Sequence, residues 1–150
     1  MIALIQRVQH AKVEVQGTVV GAIGPGLLAL VAVQPDDTPQ RIERMAERLL
    51  GYRVFSDSAG KMNLSVKDVG GGLLLVPQFT LAADTSKGMR ASFSSAAEPE
   101  RAVGLFEHML AAARRAHAPV AAGRFGAHMR VSLVNEGPVT FWLRVDPAQH

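Results

Sequence analysis

Leu27-Leu28-Ala29-Leu30-Val31-Ala32-Val33, and the change of period that follows it, decide the fold of this 150-residue chain. An unbroken apolar run bounded by Gly24-Pro25-Gly26 reads as a strand buried on both faces. A few residues later Ile42, Met45, Ala46, Leu49 and Leu50 fall at helical spacing, while Arg41, Glu43, Arg44, Glu47 and Arg48 fill the opposite side. Thr38 suits the N-cap, Pro39 the first helical position and Gly51 the end. One strand pattern and one amphipathic helix thus lie side by side in sequence.

Working outward, residues 2 to 8 and 11 to 16 read as two strands. In the second, Val13 and Val15 alternate with Lys12, Glu14 and Gln16. Gln16-Gly17 is a two-residue turn into a strand at Thr18–Ile23. Beyond the helix come a strand at Tyr52–Ser56, a turn at Asp57–Gly60, and Gly70-Gly71-Gly72 as a flexible turn into Leu73–Leu81. A second helix begins near Glu98-Pro99, with an apolar stripe of Ala102, Leu105, Phe106, Met109, Leu110 and Ala113. Glu98 and Glu100 at its start and Arg114 and Arg115 at its end match the helix dipole. Residues 129 to 134 and 139 to 145 read as a hairpin around Asn135-Glu136-Gly137-Pro138. Many strands with two segregated amphipathic helices indicate an α+β fold, a mainly antiparallel barrel-like sheet covered by those helices, as one domain over residues 1–150.

Apolar content of 48% with 19% charged residues is that of a globular chain with a substantial core. No cysteine is present, so disulfides, thiolate nucleophiles and cysteine metal sites are excluded. The formal charge of +3 and pI near 9.8 permit an acidic partner such as RNA without requiring one. Met1–Arg7 has no basic leader or cleavage site and reads as a first strand. No apolar run approaches the roughly 20 residues of a membrane helix, so no membrane partner is expected and a cytoplasmic location is.

Familiar catalytic patterns are missing. His10, His108, His117, His128 and His150 show no metal-ligand spacing, and His108 and His117 are expected on solvent-facing positions. Gly21-Ala22-Ile23-Gly24-Pro25-Gly26 has neither a following helix nor a Gly-Lys-Ser/Thr ending, so it is a turn rather than a nucleotide loop. Asp36-Asp37 reads as a loop and helix-start signal. Lys87 and Arg90, within Asp84–Ser92, are either a solvated loop or a mobile basic loop meeting phosphates.

Two segments do not fit plain strands. In Leu73-Leu74-Leu75-Val76-Pro77-Gln78-Phe79-Thr80-Leu81, the proline removes a ladder donor, so pairing should stop or bulge near Pro77. The main-chain amides of Gln78, Phe79 and Thr80 would then be free to point into a cavity, where fixed donors stabilise an oxyanion. Thr80 as nucleophile would need a base, and nothing adjacent in sequence supplies one. Gly137-Pro138-Val139-Thr140 alone is a good turn, and its X-Pro bond would by frequency be trans.

In this order, Gln78-Phe79-Thr80-Leu81 and Gly137-Pro138-Val139-Thr140 resemble the D-aminoacyl-tRNA deacylases. Similar stretches at 50–57, Gly60–Leu64, Gln78–Ser94, Gly123–Phe125 and 129–143 extend the resemblance over nearly the whole chain. It implies a homodimer that binds the acceptor end of aminoacyl-tRNA and needs no metal or other cofactor. The reaction implied is hydrolysis of the ester of D-aminoacyl-tRNA, and of glycine mischarged on alanine tRNA. Gln78, Phe79 and Thr80 would form the catalytic segment, with the terminal adenosine near Phe79. Gly137 and Pro138, joined by a cis bond and propped by Arg7, would enter the partner's site as a gate against L side chains. The mechanism implied is substrate-assisted, through the 2′-hydroxyl of the terminal ribose; an older alternative gives the attack to the threonine. Where the family generally has serine before Gln-Phe-Thr, this chain has Pro77. Two other readings are a non-catalytic RNA-binding module and a small-ester or amide hydrolase using Thr80.

Overall fold

The computed structural model describes residues 1–146. Its spine is a single long strand, β1 (Ile2–Val15). Thus residues 2–8 and 11–16 are not separate strands. Bulges between Gln6 and Val8 and between Val8 and His10 absorb the irregularity without breaking the pairing. After β1, Gln16 and Gly17 both take positive φ, at 50° and 79°, as a two-residue hairpin turn with the twist of its strands requires. The turn leads into β2 (Thr18–Ile23), and β3 (Gly26–Ala32) follows.

One edge of β1 pairs with β3 and then β2; the other pairs with β8 (Arg130–Arg144), and all three pairings are antiparallel. The sheet continues from β3 to β6 (Gly72–Pro77) and from β6 to β7 (Val120–Ala122), both in parallel. Here the expectation needs correction, because the sheet is mixed. Each parallel pair is joined by a long crossover carrying a helix, which returns the chain to its starting end. β7 comes round beside β2, where a Cβ on Gly21 would lie 2.5 Å from the Ala122 carbonyl oxygen. The sheet is therefore nearly closed and barrel-like. A separate hairpin pairs β4 (Phe55–Ser56) with β5 (Met62–Leu64), so only the end of the expected 52–56 strand is paired.

Alternation explains why β3 and β6 are apolar throughout. Leu27, Ala29 and Val31 with Leu73 and Leu75 face the helices, while Leu28 with Leu74 and Val76 face the barrel interior beside Val8, Val13 and Ile23. α1 (Pro39–Gly51) starts on Thr38, whose side chain accepts from the Arg41 amide, and buries the expected stripe. A four-residue helix, α2 (Val66–Val69), was not anticipated, although Ser65 and Asp68 form a reciprocal capping box. Gly70 ends it in the left-handed region. The glycines after it are no flexible turn, since a Cβ on Gly26 would sit 2.0 Å from the Gly72 carbonyl oxygen. α3 (Pro99–Ala116) lies against α1 and buries Ala102, Leu105, Phe106, Met109 and Ala113.

His108 and His117 are half-buried pegs rather than solvent-facing groups. His108 Nε2 lies 2.9 Å from Glu43 of α1, and His117 Nε2 lies 2.7 Å from the Gly71 carbonyl oxygen. Asp37 likewise is no simple loop residue. Its fully buried carboxylate pairs with the Met1 ammonium at 2.8 Å and accepts from the Gln34 amide at 2.7 Å. His150 lies outside the described residues.

Candidate active site

Strand β6 carries the first group of candidate residues. Along it Leu73 donates toward β7, through Pro119, and the Leu75 carbonyl accepts from Gly123. Pro77 follows this alternation toward an edge where β7 has already ended, so its missing N–H costs no ladder bond. The next residue faces β3, and the Gln78 amide donates to the Val31 carbonyl at 2.7 Å. Gln78 N–H is therefore the last rung of the sheet rather than a free donor, which corrects one of three expected free amides.

The chain then turns through a single 3₁₀ turn, Phe79–Ala82, with the Leu81 amide bonded to Gln78 O at 3.2 Å. Among the described residues, the amides of Phe79 and Thr80 have no hydrogen-bond acceptor, as the opening of a helical turn leaves them. The Gln78 side-chain amide donates to the Thr80 hydroxyl oxygen. A carboxamide cannot take a proton from that hydroxyl, so Thr80 has no base as its side-chain partner.

Pro77, Gln78 and Phe79 line a cavity of about 440 Å³, faced by Ala102 and Phe106 of α3 and by His128. Phe79 is 55% exposed and packs at a tilt on Phe93, ring centroids 5.3 Å apart. His128, set aside on spacing, was missed as a lining residue because the turn that carries it has no local pattern. Lys87 and Arg90 sit fully outside, in a loop closed by a bridge between Asp84 and Ser92. Hydrogen bonds from the Ser86 hydroxyl and amide hold the Asp84 carboxyl below the usual carboxylate range. No group of three or more metal-ligating side chains occurs among the described residues.

The second group lies on β8, which is one strand and not the expected hairpin; β1 runs opposite both halves and keeps the direction constant. Thr140 pairs with Gln6 and Asn135 with Val8, so Glu136, Gly137, Pro138 and Val139 all stand opposite Arg7 alone. This exposed excursion holds the Gly137-Pro138 bond, which is cis rather than trans as frequency alone would have it. Gly137 has φ 129°, and a Cβ there would lie 2.8 Å from Val139 Cγ2 and 3.0 Å from Arg7 Nη2. Arg7 donates from Nε to the Glu136 carbonyl at 3.1 Å and from Nη1 to the Val54 carbonyl at 2.7 Å. Asn135, which sequence reasoning passed over, donates from Nδ2 to the carbonyls of Arg7 at 2.9 Å and Val139 at 3.0 Å. Arg7, Gly137 and Pro138 thus come together as one group. No hydrogen bond among the described residues joins them to Gln78, Phe79 or Thr80.

A family model for D-Tyr-tRNA(Tyr) deacylase matches residues 4–144. The chain belongs to that family. Two relatives named D-aminoacyl-tRNA deacylase show how tightly it sits there. The one from Thioalkalivibrio sulfidiphilus is 65% identical over 147 residues, covering 98% of this chain and 99% of its own. The one from Alkalilimnicola ehrlichii is 64% identical over 148 residues, covering 99% of each. The solved structure of a protein named c-Myc DNA Unwinding Element Binding Protein shares 38% identity at a TM-score of 0.93, over 99% of this chain and all of that one. Another, described as a probable eukaryotic D-amino acid tRNA deacylase, has a TM-score of 0.83 at 17% identity, over 95% of this chain and 97% of that one, a likeness of fold. Both solved structures thus share the overall fold of this chain.

Proposed function

We propose that this chain hydrolyses the ester of D-aminoacyl-tRNA, and of glycine mischarged on alanine tRNA, as a cytoplasmic homodimer. The observation that carries the reading is the pair of unbonded amides of Phe79 and Thr80 beside an apolar cavity. Two rigid main-chain donors suit the oxyanion that forms when water attacks an ester carbonyl. The cavity beside Phe79 suits an aromatic base, so the terminal adenosine of tRNA would lie there with its 2′-hydroxyl near the scissile bond. That hydroxyl helps activate the water, and the chain supplies positioning and charge stabilisation.

The exposed Gly137-Pro138 excursion supplies the selection. Lent to the partner's cleft, its carbonyls occupy the space an L side chain needs and leave room for hydrogen or a D substituent. Rigid exclusion matters because an apolar pocket separates similar side chains by only about 1–3 kcal/mol.

Thr80 is a positioning group in this scheme. Thr80→Val is expected to lower kcat by less than about tenfold, whereas loss of a true nucleophile costs on the order of 10⁴ or more. Single-turnover hydrolysis of D-tyrosyl-tRNA measures the difference, and a drop of the larger size would reinstate the threonine mechanism. Pro77→Ser is expected to leave the rate within about threefold, because Pro77 faces an edge with no ladder partner; a large gain would show that the family serine hydroxyl takes part.

The decisive experiment compares release of D-tyrosine and L-tyrosine from their charged tRNAs. Fast release of the D form alone supports the proposal. Binding of tRNA with no release of either would instead favour a nucleic-acid-binding role, the reading that the DNA-binding name of the 38% identical neighbour suggests.

A further inference from the structure

A four-residue excursion opposite a single residue has no ladder bonds of its own, so side chains must set its direction. Two do so. Arg7 grips only the first residue of the excursion, at the Glu136 carbonyl. The last residue, Val139, is held by Asn135, whose Nδ2 also reaches the Arg7 carbonyl on the facing strand. A side-chain amide nitrogen has two hydrogens, and here one goes to each side of the neck. Without that clasp the far end of the excursion could swing about its Arg7 anchor, carrying the Gly137 and Pro138 carbonyls with it.

We infer that Asn135 is a positioning residue for D-over-L selection, fixing where the carbonyls of Gly137 and Pro138 point. The inference rests on the gating role proposed above for that excursion. Asn135 stands at the base of the loop with its side-chain amide committed to two main-chain carbonyls, so its loss should act on selection more than on the ester chemistry.

Asn135→Ala removes both donors. Asn135→Asp keeps the size but sets a carboxylate against two carbonyl oxygens, which repel it. Both variants are expected to lower the ratio of D-tyrosyl-tRNA to L-tyrosyl-tRNA hydrolysis at least tenfold, mainly through faster L release, with a cooperative thermal transition retained. A general loss of structure would instead slow both substrates together. If the wild-type protein does not distinguish D from L, the functional reading itself fails. If it does distinguish them and Gly137→Ala relaxes the ratio while both Asn135 variants keep it, this inference alone fails. Parallel loss of both activities, or failure of both variants to fold, also overturns it by showing that the clasp serves the barrel and not the loop.

Discussion

Gly137→Ala is expected to raise L-tyrosine release from tRNA at least about tenfold, a loss of about 1.4 kcal/mol of discrimination. The added methyl has nowhere to go. Gly137 holds φ 129°, a region L side chains rarely adopt, and its Cβ would press on Val139 Cγ2 at 2.8 Å and on the Arg7 guanidinium at 3.0 Å. Relief requires either the excursion to rotate or Arg7 to give up its bond to the Glu136 carbonyl, and both redirect the gate. Sparing L-aminoacyl-tRNA by a 10⁴-fold margin corresponds to about 5.5 kcal/mol, so even partial relaxation is visible. The measurement is the ratio of D to L release, taken with the melting temperature as a control for folding. An unchanged ratio in a folded variant would remove the excursion from the selection mechanism.

Much of this arrangement was legible in the chain because it is written in local patterns. The apolar stripes of α1 and α3, the Thr38 cap and the Gln16-Gly17 turn each depend on neighbours a few residues away, and they stand where their spacing places them. β6 does end at Pro77, where the sequence places the break, although the missing donor there costs no ladder bond and the Gln78 amide still pairs with Val31. What could not be read locally is pairing across distance. Residues 129–145 contain every ingredient of a hairpin, yet β1 continues opposite both halves, and only that long-range partner turns the Gly-Pro segment into a bulge. The same limit hid the Gln78 bond to Val31, the parallel crossovers and the clasp of Asn135 on Arg7, whose sequence separation is 128. The capping box of α2 was the opposite case, since Ser65-x-x-Asp68 is a local signal.

Asp37→Ala is expected to be the most destabilising of the substitutions considered, by about 3–5 kcal/mol, because it strands a buried charge. The carboxylate and the Met1 ammonium have no exposed side-chain surface at all and meet at 2.8 Å. Burying such ions is tolerable only while each satisfies the other, and here the surroundings complete the set. The ammonium also donates to Gln34 Oε1 at 3.0 Å and the Val145 carbonyl at 2.9 Å, while Asp37 accepts from the Gln34 amide. Arg101 of α3 bonds the Asp37 carbonyl, so the start of β1, the cap of α1 and one face of α3 converge on one residue. Removing the carboxylate leaves the ammonium without its counter-charge and the Gln34 amide without an acceptor, which favours local unfolding of this corner. For a chain of this length the change corresponds to a fall in Tm of roughly 6–20 °C. Asp36 provides the internal comparison. It lies one residue away and also approaches Arg41, at 3.3 Å, but its side chain is 69% exposed, so Asp36→Ala should move Tm little, as exposed ion pairs do. Thermal denaturation of the two variants side by side tests the assignment, and equal shifts would mean that the interior pair is not what holds the first strand in place.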